Sequence, residues 1–138
     1  FEARASAAVR QDIWYKLWGN MTMNPISAIT GATIDRILDD DLVRDFCSRA
    51  MAEAALIGER IGCAVAQSPE DRHAVTRQLG AFKSSMLQDV EAQRSIELDA
   101  IVGAVLEIAA RLQMPAPNIA ALMGITRLFA RSRQLYPA

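Results

Sequence analysis

Residues 14–25 read Trp-Tyr-Lys-Leu-Trp-Gly-Asn-Met-Thr-Met-Asn-Pro. Most of these side chains are apolar, and the polar residues Lys16, Asn20 and Asn24 are spaced four apart. At about 100° per residue, this spacing keeps all three on one helix face. The segment therefore predicts an apolar helix with one polar stripe. The stripe is either a solvated face or a row of side chains that binds a polar substrate, with Lys16 able to donate a proton.

The composition around this segment is that of one helical domain. The chain has 138 residues, is 51% hydrophobic and carries a net charge of −1. This charge does not indicate binding to nucleic acid or to an anionic membrane, and no apolar run approaches the roughly 20 residues that span a bilayer. Cys47 and Cys63 have apolar neighbours, which favours reduced core thiols in a cytoplasmic protein and leaves a disulfide as the alternative.

The first residues alternate like a β-strand, but the sequence contains no second strand for them to pair with. An isolated strand is unstable. We therefore expect residues 1–9 to be a strand or linker from a preceding domain, and residues 10–138 to form one helical domain.

The periodicity predicts an all-α fold with about six or seven helices. The first is expected to run from Ser6 or Val9 to Met23, because Pro25 disfavours helical geometry in the residue before it. Apolar spacing and capping signals place the later helical segments at 34–38, 39–61, 68–79, 81–93, 96–113 and 118–134.

Several site types are not supported by the sequence. The one histidine, His73, lies in a polar helix start and is predicted to be on the surface. No spacing of His and Cys fits zinc, no serine triad can be assembled, and no Gly-rich phosphate loop is present. Met21 and Met23 are interpreted as core residues.

Two further segments are candidates for a site. Ser84 and Ser85 precede an apolar run, so they are either helix N-caps or site residues. Glu97 and Asp99 are expected in the first turn of a helix, where acidic side chains ordinarily stabilise the helix dipole.

Taken together, these motifs resemble the C-terminal domain of ketopantoate reductase (2-dehydropantoate 2-reductase). Their order and spacing agree over about residues 10–130. The matching pieces are 14–17, Asn20, 24–28, the Lys-Ser-Ser-Met-Leu-Gln-Asp-Val run at 83–90, Arg94, 97–99, Gly103 and 115–118.

The resemblance implies a fold and an activity. Such domains are all-helical and similar to the C-terminal domains of 6-phosphogluconate dehydrogenase relatives. In the family, an N-terminal dinucleotide-binding (Rossmann) domain binds NADP(H), and the enzyme reduces ketopantoate to pantoate for pantothenate biosynthesis. The 138 residues alone are then expected to be inactive. The resemblance leaves both a monomer and a homodimer open.

The resemblance also implies roles for individual residues. Lys16 matches the catalytic lysine, while Asn20, Asn24 and Ser85 match substrate-binding residues. Glu97 matches a glutamate that contacts the substrate and is shared with the cofactor, and it could pair with Lys16 before substrate binds. No metal is implied.

Three positions depart from the family pattern, because Ile34, Ile96 and Val102 replace residues that are often polar. The alternatives are therefore a paralogue that reduces another 2-oxo acid, and a helical dimerisation or ligand-binding domain without activity. A stand-alone helical enzyme of the mutase kind is a third, weakened by the lack of a clear arginine pair. A Gly-x-Gly-x-x-Gly turn upstream would favour the reductase.

Overall fold

The computed structural model describes the backbone of residues 2–137 and the side chains of residues 6–137. The described residues form seven α-helices and no strand, which confirms the all-α prediction. The helices are α1 (Glu2–Thr30), α2 (Ile34–Asp39), α3 (Asp41–Arg60), α4 (Pro69–Arg77), α5 (Ser85–Glu91), α6 (Ala104–Arg111) and α7 (Pro117–Ser132). A π-helical turn, Asp99–Gly103, leads directly into α6.

The predicted strand at the start of the chain is wrong for residues 2–5, since α1 begins at Glu2. Phe1 lies outside the described residues. Residues 2–8 contain four alanines, and the high helix propensity of alanine outweighs a two-residue alternation that has no partner strand. The assignment of residues 1–9 to a link with a preceding domain stays a prediction.

The predicted end of the first helix at Met23 is also wrong, because α1 continues through Pro25 to Thr30. A proline inside a helix costs about 3 kcal/mol, since it removes one N–H donor and its ring crowds the preceding turn. Burial compensates here: Met21, Met23, Ile26 and Ala28 are all buried. The helix instead ends at Gly31, whose φ of 73° is readily adopted only by glycine.

The hydrophobic core is built around α1, which packs against α3, α5 and α7. Trp18 is 1% exposed, and its indole Nε1 donates a hydrogen bond of 2.8 Å to the Met51 carbonyl on α3. Met21 and Met23 are buried, as predicted. Because Asn20 is about 200° around the helix from Trp18, burying the indole turns the polar stripe of α1 away from α3.

The start signals of the middle helices are confirmed. The Asp40 side chain accepts from the Val43 N–H at the start of α3, and Ser68 forms a capping box with Asp71 at the start of α4. Ser84 caps α5 by accepting from the Leu87 N–H. Both α4 and α5 are shorter than predicted, however, and α5 covers only residues 85–91 of the predicted 81–93.

The helix predicted at 96–113 begins later than expected. The Ile96 N–H donates to the Leu135 carbonyl (2.9 Å), so this segment is tied to the chain's C-terminal part instead of starting a helix. Glu97 therefore lies in the connection directly before the first helical residue, Leu98, where its carboxylate can still interact with the helix dipole. Within residues 2–137, no helix combines the length and the apolar character that a membrane span requires.

Candidate functional site

The polar stripe of α1 runs from the surface into the protein. Lys16 is exposed, Asn20 is half-buried and Asn24 is buried, with 7% of its surface exposed. All three line one cleft of about 390 Å³, together with Ile13, Leu17, Ser85 and Ile101. The stripe therefore faces a concave surface and is not simply a solvated helix face.

The two serines of α5 have separate environments. Ser84 is buried and its hydroxyl caps the helix, whereas Ser85 is exposed and lines the cleft of Lys16. The capping explanation thus holds for Ser84, and Ser85 lies in the cleft with Asn20 and Asn24.

Glu97 lies beside this cleft in a smaller depression of about 190 Å³. Ser85 and Ile101 line both spaces, so the two are adjacent. Ile101 belongs to the π-helical turn, a feature that is frequent at functional sites. The ion pairs found among residues 6–137 include neither Lys16 nor Glu97, so the Lys16–Glu97 pair that the sequence left open is not formed in this structure.

A third space adjoins the cleft and contains a residue that was not predicted. This pocket of about 220 Å³ is lined by Asn20, Asn24 and Ser85 on one side and by Arg72 of α4 on another. The Arg72 guanidinium lies 4.3 Å from the centre of the Tyr15 ring, and its Nη1 donates to the Tyr15 carbonyl at 3.1 Å. In the sequence, Arg72 stands in a polar helix start, where nothing separates it from a surface arginine.

His73, predicted on the surface, is buried with 4% of its surface exposed. Its Nε2 lies 3.0 Å from the Ser48 hydroxyl. Burial lowers the pKa of His73 below its usual 6.5, and Arg44 and Arg77 act in the same direction, while Glu70 opposes them. The prediction failed because α4 is polar along its length, so periodicity could not reveal that its His73 side faces α3.

The three departures from the family pattern have different consequences. Ile96 and Val102 are core residues and do not line the cleft. Ile34 is buried and lines the Arg72 pocket. Only the change at position 34 therefore alters a surface next to the Lys16 stripe.

A larger depression of about 490 Å³ lies between the end of α5 and the residues after α7, and contains none of the predicted site residues. It is lined by Val90, Gln93, Arg133, Gln134 and Leu135.

The chain was compared with known proteins. Residues 8–130 match the family model described as ketopantoate reductase PanE/ApbA C terminal. A 2-dehydropantoate 2-reductase from Mesorhizobium japonicum is 40% identical over 128 residues, which are 93% of this chain and 39% of that protein. The chain therefore spans about two fifths of the length of this relative.

The similar solved structures include ketopantoate reductases as well. A candidate ketopantoate reductase from Ralstonia solanacearum MolK2 is 58% identical with a TM-score of 0.88, covering 93% of this chain and 39% of that one. A D-mandelate dehydrogenase solved with NADH and anilino(oxo)acetate has a TM-score of 0.80 at 18% identity, over 90% of this chain and 70% of that one, which shows a shared fold. Since the family model covers most of the chain, this chain belongs to the ketopantoate reductase C-terminal domain family.

Proposed function

We propose that this chain is the substrate-binding and catalytic-lysine domain of a cytoplasmic NADPH-dependent 2-oxo acid reductase whose substrate is ketopantoate. One observation carries the proposal: Lys16, Asn20, Asn24 and Ser85 come from two helices and line one cleft. Pantoate, the product, would serve pantothenate biosynthesis.

The residue types in the cleft suit reduction of a carbonyl. As negative charge develops on the carbonyl oxygen, the Lys16 ammonium stabilises it and then delivers the proton. Lys16 is exposed at the mouth of the cleft, where a substrate can reach it. Asn20, Asn24 and Ser85 offer uncharged donors and acceptors that would orient the carboxylate and hydroxyl groups of the substrate.

NADPH, when bound, supplies the hydride, and we expect a separate N-terminal Rossmann domain to bind most of it. The open side of the cleft fits such a neighbour. Ile13 lines the cleft and is 62% exposed, so a flat ring could pack against its apolar surface. Glu97, which lines the depression next to this cleft, would contact both substrate and cofactor. On this account the chain alone does not transfer hydride.

The experiment is NADPH oxidation by the full-length protein with a panel of 2-oxo acids that includes ketopantoate. The proposal expects turnover that is fastest with ketopantoate. Turnover with another 2-oxo acid alone would identify a paralogue of different specificity. No turnover with any of them would favour the helical dimerisation or ligand-binding alternative.

A further inference from the structure

Arg72, on a different helix from Lys16, is a second cationic side chain near the Lys16 cleft. It lines the pocket that shares Asn20, Asn24 and Ser85 with the Lys16 cleft, but it does not line that cleft itself. The two spaces therefore meet at the three polar side chains, with Lys16 beyond them on one side and Arg72 on the other.

Gly19 allows Arg72 to reach this place. A Cβ at residue 19 would lie 2.3 Å from both Cζ and Nη2 of Arg72, so the guanidinium occupies the space that any other side chain would need. Glycine inside a helix costs about 1 kcal/mol relative to alanine. The chain thus carries an unfavourable helix residue at the one point of α1 where Arg72 is seated next to Asn20.

The seated guanidinium keeps hydrogen-bonding capacity. Of its five N–H donors, one is used in the described residues, by Nη1 to the Tyr15 carbonyl. No carboxylate of residues 6–137 forms an ion pair with it. The contact of the guanidinium with the Tyr15 ring, 4.3 Å from Cζ to the ring centre, helps to hold it in place.

The remaining walls of the pocket define what fits beside Arg72. The pocket encloses about 220 Å³, and its walls combine the polar residues named above with the apolar residues Met23, Ile34, Leu79 and Phe82 and the further polar residues Thr76, Ser84 and Gln88. A ligand group there would be compact and mostly apolar, with an acceptor oxygen for the guanidinium.

We infer that Arg72, held by Gly19 and Tyr15, is a specificity-determining residue that donates to an oxygen at the end of the substrate remote from its reacting carbonyl. The inference rests on the proposed function, which places the carbonyl at Lys16. In ketopantoate that oxygen is the terminal hydroxyl of a CH2 group, and the adjacent carbon carries two methyl groups that would contact the apolar walls.

A matched pair of substrates tests this assignment. Trimethylpyruvate is ketopantoate without its hydroxyl. In the full-length protein with NADPH, Arg72→Met should lower kcat/KM for ketopantoate about 10- to 100-fold, the usual effect of losing a charged hydrogen bond. It should leave kcat/KM for trimethylpyruvate nearly unchanged, so that discrimination between the two substrates is lost.

Three variants separate recognition from structure. Gly19→Ala should reduce discrimination in the same direction with Arg72 still present, and Arg72→Lys should restore part of it. If Arg72→Met does not fold, Gly19→Ala and Arg72→Lys still test the inference. Arg111→Met is the matched control, because Arg111 is an exposed residue of α6 paired with Glu107, and it should leave both substrates unaffected.

Equal loss with both substrates would show that Arg72 only supports the fold or binds the carboxylate next to the carbonyl, and would overturn the inference. Unchanged discrimination between the two substrates in Arg72→Met would overturn it too.

If the wild-type protein turns over no 2-oxo acid, the proposed function has failed instead. Calorimetric titration of the protein with ketopantoate and with trimethylpyruvate then tests Arg72 separately. If the wild-type protein binds ketopantoate more tightly and the Arg72→Met variant loses this difference, the role of Arg72 is supported. Equal binding of the two compounds by the wild-type protein contradicts it.

Discussion

The hydroxyl of Ser27 on α1 is hydrogen-bonded to the hydroxyl of Ser84 at the start of α5. Ser27 Oγ also donates to the Asn24 carbonyl at 2.9 Å, and Ser84 Oγ accepts from the Leu87 N–H at 3.1 Å. These bonds are mutually consistent if the Ser84 hydroxyl donates to Ser27. The chain of bonds joins the two helices beside the cleft and brings Ser85 next to the Asn24 turn of α1.

Ser84→Ala should weaken both the fold and the site. It removes the cap of α5 and a buried partner of Ser27, so we expect the free energy of unfolding to fall by about 1–3 kcal/mol. Because Ser85 then loses its fixed position, the KM for the 2-oxo acid should rise as well. Chemical denaturation and steady-state kinetics measure the two effects, with the exposed Ser132→Ala as control. A Ser84→Ala protein of wild-type stability would contradict the role of this bond.

The buried His73 predicts a dependence of stability on pH. Burial lowers its pKa in the folded state below the usual 6.5, so the unfolded chain binds the proton more strongly. Stability from neutral His73 is therefore fully present above about pH 6.5 and is lost as the pH falls through the folded-state pKa. Urea denaturation at about pH 7.5 and about pH 5.5 should show a larger decrease for the wild type than for His73→Gln. Identical decreases would show that His73 is not the responsible group.

Cys47 should be chemically unreactive in the folded protein. It is fully buried, and burial raises its pKa to about 11, whereas the thiolate is the reactive form. Iodoacetamide labelling followed by mass spectrometry should modify Cys47 in urea and not in native buffer. Both cysteines are free and buried, as the sequence predicted. Rapid native labelling of Cys47 would contradict its burial.

Glu97→Gln should affect substrate binding without affecting the fold. Glu97 is exposed and forms no hydrogen bond or ion pair within residues 6–137, so stability should change by less than about 0.5 kcal/mol. If the carboxylate contacts the substrate, KM should rise about tenfold or more. The control is Glu107→Gln, because Glu107 is an exposed glutamate that accepts a hydrogen bond from Arg111 on its own helix. A wild-type KM in Glu97→Gln would remove Glu97 from the site.

Local signals predicted much of the fold. Capping side chains placed the starts of α3 and α4 correctly, and Gly31, Gly62 and Gly80, which all have positive φ, lie between the predicted helical segments. The errors occur where distant contacts outweigh local preference. Burial holds α1 helical through Pro25, and the Leu135 carbonyl delays the helix after Ile96.

The site was only partly predictable for the same reason. The spacing of Lys16, Asn20 and Asn24 located a polar face of α1, and the resemblance added Ser85 and Glu97. Arg72 could not be found this way, because its place depends on Gly19 and Tyr15, which lie more than fifty residues away in the sequence. The presence of Gly19 inside the apolar segment of α1 was the one local sign that another side chain packs against this helix.

Turnover by a Lys16→Ala variant of the full-length protein tests the central claim most directly. Loss of a general acid typically lowers the rate by about 100- to 10,000-fold, so we expect kcat for ketopantoate with NADPH to fall by that factor while the helical circular dichroism spectrum stays unchanged. Lys83→Ala is the matched control, since Lys83 is an exposed lysine paired with Glu91, and it should retain wild-type turnover. Near-normal turnover by a folded Lys16→Ala protein would contradict the account.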